Sequence, residues 1–139
     1  MAALEPFQTR DPPQAPTPLE YLRWEDDFTL DMELHVNLFT EGANRQPVAR
    51  SNFQRLYWTM AQQVAHHTVS GCDLRTGDLF ASETVSGPEP ESRACLLERT
   101  WRGEQPLIFN DRTRPVFLAD GDEVVMTAYY QGDGYRVDF

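Results

Sequence analysis

Phe28-Thr29-Leu30-Asp31-Met32-Glu33-Leu34-His35-Val36-Asn37-Leu38-Phe39 is the stretch that decides the fold class. Phe28, Leu30, Met32, Leu34, Val36 and Leu38 alternate with Thr29, Asp31, Glu33, His35, Asn37 and Phe39. Successive side chains of a β-strand point to opposite faces, so a period of two sustained this long predicts a strand with one face in a core. Beyond it, Glu41-Gly42-Ala43-Asn44 has turn chemistry, and Gln46 to Ala49 predicts a short return strand. The period then changes. Phe53, Leu56, Tyr57, Met60 and Val64 recur at helical spacing, with Ser51 as the expected N-cap and Gly71 placed to end the helix.

After Cys72 the pattern returns to short strands and tight turns. Thr76-Gly77-Asp78 precedes the apolar Leu79-Phe80-Ala81, and Ser86-Gly87-Pro88-Glu89-Pro90 does not fit inside a regular element. Ala94 to Trp101 reads as a strand. Asp120-Gly121-Asp122 turns into a strand over Glu123 to Tyr130, and Gln131-Gly132-Asp133-Gly134 turns into another over Tyr135 to Phe139. The fold class expected is mainly β with one helix, without internal repeats. Residues 1–18 hold Pro6, Pro12, Pro13, Pro16 and Pro18, which read as an extended connecting arm because proline cannot donate to a helix or sheet ladder. The packed part is then expected over residues 19–139. A chain that stops at Phe139 in mid-strand is expected to be a piece of a larger domain.

Composition narrows the function. The 139 residues are 40% hydrophobic and 24% charged, ordinary values for a globular domain. A formal charge of -10 opposes binding to a phosphate backbone, so nucleic acid is not an expected partner. No apolar run nears the roughly 20 residues that span a bilayer, and no charged-then-apolar leader opens the chain. Cys72 and Cys95 have neither CxxC nor zinc-like spacing, which suits a reducing compartment; the cytoplasm is expected.

Several residues invite a site reading and have a plainer one. His66 and His67 are adjacent, so on a helix they point about 100° apart and do not face one ion; one capping the helix C-terminus and one packing is the expected arrangement. His35 falls on the polar face of its strand. Glu89 and Glu91 could offer carboxylates to a cation, but their flanking prolines suggest a rigid surface loop. Asp120-Gly121-Asp122-Glu123 lacks a full calcium-loop series and reads as a hairpin turn. Tyr57, Trp58 and Met60 suit a core or a subunit interface.

Other stretches acquire meaning together. Ser51-Asn52-Phe53, Tyr57-Trp58-Thr59-Met60, Gln62-Gln63, His66-His67, Gly71-Cys72 and Gly77-Asp78-Leu79 are followed by Thr84-Val85-Ser86-Gly87-Pro88-Glu89-Pro90-Glu91. Asp120-Gly121-Asp122-Glu123 and Gln131-Gly132-Asp133-Gly134-Tyr135 complete the series. In this order and spacing, from about Pro18 to the end, the chain resembles the fumarylacetoacetase family. The resemblance implies the C-terminal part of a mixed β-sandwich or roll catalytic domain, with the N-terminal domain and the first part of the catalytic domain absent. It implies a cytosolic, homodimeric hydrolase that splits a small diketo acid, fumarylacetoacetate, into fumarate and acetoacetate in tyrosine breakdown.

The family's chemistry assigns two residues here. Glu98, in Leu96-Leu97-Glu98, matches the carboxylate that orients a general-base histidine. Thr84 matches a threonine that binds the substrate's carboxylate end. The histidine, the carboxylates that hold Mg2+ or Ca2+, and the other substrate contacts lie upstream in the family, so this chain alone is expected to be inactive and no metal ligand is assigned to it. One departure is Glu83, where the family has glycine; its charge opposes an anionic substrate unless it points away. Without the resemblance, Glu98 is a polar residue on an exposed strand and Thr84 a β-former. A dimerisation or binding domain without activity, and another keto-acid hydrolase or decarboxylase of the superfamily, are the alternatives.

Overall fold

The computed structural model describes residues 2–10, 13–24, 28–40, 45–109 and 113–139. A four-stranded antiparallel sheet carries the fold, in the order β4 (Gln46–Asn52), β3 (Glu33–Phe39), β5 (Glu123–Gln131) and β6 (Arg136–Asp138). A second, two-stranded sheet pairs β1 (Gln8–Arg10) with β2 (Phe28–Leu30). The main helix, α1, spans Met60–Val69, and a single turn, α2, spans Leu96–Arg99. This is the mainly β fold with one substantial helix that the period-two pattern predicts.

The alternating stretch is not one strand. It breaks at Asp31-Met32, where Met32 N–H bonds back to the Leu30 carbonyl and Asp31 N–H to the carbonyl of Phe7. The Asn52 amide nitrogen fastens the break, donating to Asp31 Oδ1 at 2.6 Å and Glu33 Oε1 at 3.0 Å. Alternation survives the break, so β2 and β3 read as continuous while pairing in different sheets. The turn expected at 41–44 lies outside the described residues, but its return strand is present as β4. Pro47 is tolerated there because β4 is an edge strand. A register shift opposite Val36 and Asn37 leaves Val48 as the extra residue, so Val48 and its neighbour Ala49 are both buried.

Residues of the N-terminal segment pack on the rest of the described chain. Phe7 is buried, stacks on Tyr130 with centroids 4.7 Å apart, and joins Leu30 in a core cluster. Gln8–Arg10 pair with β2, and Gln14 exchanges hydrogen bonds with Gln62 of α1 at 2.7 and 2.9 Å. A second cluster, Leu38, Val48 and Phe109, is packed by Val36, Leu96 and Leu107 and so links the sheet to α2.

The helix starts later than expected. Ser51 belongs to β4, Asn52 caps a short 3-10 turn over Phe53–Arg55, and Thr59 is the N-cap of α1. Thr59 Oγ1 accepts from Gln62 N–H and Gln62 Oε1 accepts from Thr59 N–H, both at 3.1 Å, a reciprocal capping box. Gly71, at φ +85°, follows the helix as expected, in the left-handed region glycine enters without a Cβ clash.

Candidate active site

Glu98 does not lie on a strand. Ala94 to Trp101 contains α2, and the turn is held by Thr100, which is 0% exposed: its Oγ1 donates to the Leu96 carbonyl at 2.7 Å and accepts from Gly103 N–H at 3.0 Å. The run is too short for periodicity to separate strand from helix, and the backbone bonds from Arg99 N–H to the Cys95 carbonyl and from Thr100 N–H to the Leu96 carbonyl decide it. Trp101 and Arg102 then adopt positive φ, 49° and 61°, the left-handed region that costs non-glycine residues about 1–2 kcal/mol. The Arg93 guanidinium, 4.9 Å over the Trp101 ring, braces this exit.

The loop before α2 is equally determined. Gly87 N–H bonds to the Ser92 carbonyl at 3.0 Å, and Ser92 N–H and Oγ both bond to the Glu89 carbonyl. A Cβ on Gly87 would meet Ser92 Oγ at 2.5 Å, so a glycine is required there by close approach. The folded loop puts Ser86 against α2. Ser86 Oγ accepts from Ala94 N–H at 3.1 Å and donates to Glu98 Oε2 at 2.6 Å. Cys95, the N-cap residue, adds its Sγ at 3.4 Å from the same oxygen. The Ser86 hydrogen bond, with lesser contributions from Cys95 and Ala94, outweighs partial desolvation and holds the Glu98 carboxyl below its ordinary pKa. Glu98 is therefore an ionised, oriented carboxylate on the surface of the described chain. It borders a concavity of about 600 Å³ with Arg93, Leu97, Trp101, Arg102 and Glu104, two cations balancing two carboxylates.

Thr84 is exposed in an irregular segment, two residues before Ser86. The hydrogen bond from this motif to Glu98 comes from Ser86, whose only signal in the sequence is its place beside Gly87-Pro88 in the Thr84-to-Glu91 motif. Glu83 is also exposed, and Ser82 Oγ donates to its carbonyl oxygen. The chain's histidines lie elsewhere. His35 packs edge-on to Tyr129, His66 Nδ1 meets the Tyr21 hydroxyl at 3.0 Å, and His67 packs edge-on to Phe80. The two helical histidines thus both pack on aromatic rings and neither caps the helix; Ser70 Oγ donates to the His67 carbonyl instead. Among the described residues no three His, Cys, Asp or Glu side chains gather where they could hold a metal ion, so the donor set of a metal centre is not found in them. Glu89 and Glu91 are exposed, as a surface loop requires. No helix among the described residues is long and apolar enough to cross a membrane.

The family model described as fumarylacetoacetate (FAA) hydrolase C-terminal matches residues 6–134. The chain is 51% identical over 141 residues to a fumarylacetoacetase of Homo sapiens and 51% identical over 138 residues to one of Arabidopsis thaliana. It is 38% identical over 142 residues to a fumarylacetoacetase of Dictyostelium discoideum. These alignments cover 99–100% of this chain and 32–33% of each relative, so the chain spans about a third of their length.

Proposed function

The chain belongs to the fumarylacetoacetate hydrolase C-terminal family, and from that premise we propose that it contributes one catalytic carboxylate to a larger hydrolase of carbon–carbon bonds in diketo acids. The substrate is fumarylacetoacetate, and with water it gives fumarate and acetoacetate. The observation that carries the reading is Glu98: an ionised carboxylate whose Oε2 is fixed by Ser86 and Cys95. An oriented carboxylate next to a histidine fixes its tautomer and stabilises the imidazolium formed as the histidine deprotonates a water. The water oxygen adds to a carbonyl carbon, the adjacent carbon–carbon bond breaks, and the departing enolate takes a proton to become acetoacetate. The histidine and the divalent cation, magnesium or calcium, belong to residues outside this chain. Thr84 holds the substrate's carboxylate end, and Glu83, being exposed, is free to point away from it.

The same reading places the enzyme in the cytoplasm as a homodimer, with residues 19–139 in the C-terminal part of its catalytic domain. Exposed Leu97, Trp101, Ile108, Phe117, Leu118 and Met126 suit burial against the rest of that domain. The test is loss of substrate absorbance with two preparations: a full-length protein carrying this segment, and the 139-residue chain alone. The full-length protein is expected to turn over and the chain alone is not. Turnover by the chain at about 1 per second or faster would contradict the reading.

A further inference from the structure

Glu98 lies largely at the surface of a one-turn helix, where a long carboxylate has several rotamers open to it; what confines it is a hydroxyl from a different loop. Ser86 Oγ stands 2.6 Å from Oε2, within the short range of O–H bonds to carboxylates. The serine has no freedom to do otherwise. Its oxygen is engaged by Ala94 N–H, its loop is closed by the Gly87–Ser92 backbone bond, and its one proton has the carboxylate as its acceptor. Both side-chain donors land on Oε2, and among the described residues Oε1 carries no side-chain donor. Resting on the hydrolase reading above, we propose that Ser86 is a positioning residue: it anchors Oε2 of Glu98 so that Oε1 is presented to the general-base histidine.

Removing the anchor has two consequences with definite signs. The carboxylate becomes mobile, which lowers the fraction of enzyme with the histidine correctly held. It also becomes more basic, because the donor stabilised its charged form. A more basic carboxylate raises the pKa of the histidine it pairs with, so the acidic limb of the kcat profile moves to higher pH. In this role Ser86 acts through Glu98 rather than on the substrate, so KM is expected to change little.

The experiment compares wild type, Ser86→Ala, Ser86→Thr and Glu98→Gln in the full-length protein, by kcat and KM from pH 5 to 9. Ser86→Ala is expected to lower kcat about tenfold to a hundredfold, the range set by a hydrogen bond to a charged group. KM should stay within about twofold, and the acidic limb should move to higher pH. Ser86→Thr keeps a hydroxyl and should restore most of kcat and the wild-type limb. An acidic limb unmoved in Ser86→Ala, whether kcat holds or falls, overturns the positioning role, because a merely structural loss lowers the amount of active enzyme without moving its titration. If Glu98→Gln is inactive while Ser86→Ala is normal, this inference falls and the hydrolase reading stands. If Glu98→Gln is as active as wild type, the hydrolase assignment of Glu98 falls first.

Discussion

In the sheet of β4, β3, β5 and β6, order comes from a ladder of backbone pairs with Leu38 and Val48 packed beneath it. Between Val85 and Gly103 there is no ladder, and order comes from the single turn of α2, the Gly87–Ser92 backbone bond and side-chain oxygens bonded to backbone: Ser86 Oγ, Ser92 Oγ and Thr100 Oγ1. The first region tolerates exchange of one apolar side chain for another of like volume. The second depends on particular oxygens at particular positions, and that is the region that holds Glu98. Precision at a site is obtained here with no more regular structure than the single turn of α2.

Two substitutions set the regions against each other in urea or thermal unfolding of the full-length protein. Leu38→Ala removes a side chain that is 1% exposed and should cost about 2–5 kcal/mol, through lost burial and the cavity left behind. Thr100→Val keeps shape but removes the side-chain bonds to Gly103 N–H and the Leu96 carbonyl, each of which keeps a backbone partner, and should cost about 0.5–1.5 kcal/mol. Activity should follow the opposite order: Thr100→Val disturbs α2 and with it Glu98, whereas the folded fraction of Leu38→Ala should retain kcat. A Thr100→Val protein as stable and active as wild type would break the contrast.

That contrast also explains what could be read from sequence. The strands β3, β4, β5 and β6 were legible because alternation and turn residues report local geometry. The break at Asp31-Met32 was not, since it is fastened by Asn52 from 21 residues away. The burial of Phe7 is illegible for the same reason, its partner Tyr130 lying at the far end of the chain. The α1 start is legible as Thr59-x-x-Gln62, a capping-box pattern, but Ser51 competes with it as a residue of good capping type that belongs instead to β4. At the site, Glu98 and Thr84 could be named only through the family resemblance. Neither burial nor periodicity distinguishes an exposed glutamate on a one-turn helix, and Ser86 becomes visible only when the loop folds it against that helix.

Whether Glu98 acts through a histidine, as proposed, or is an ordinary surface carboxylate is decided by paired steady-state kinetics of the full-length protein. Orienting carboxylates in triads of this kind are worth up to about four orders of magnitude in turnover. Glu98→Gln should lower kcat by roughly 10²- to 10⁴-fold with little change in KM, since the imidazolium it stabilises forms only on the way to the transition state. Thr84→Val should do the reverse, raising KM by removing a contact made in both ground and transition states. A kcat for Glu98→Gln within about threefold of wild type would contradict the account.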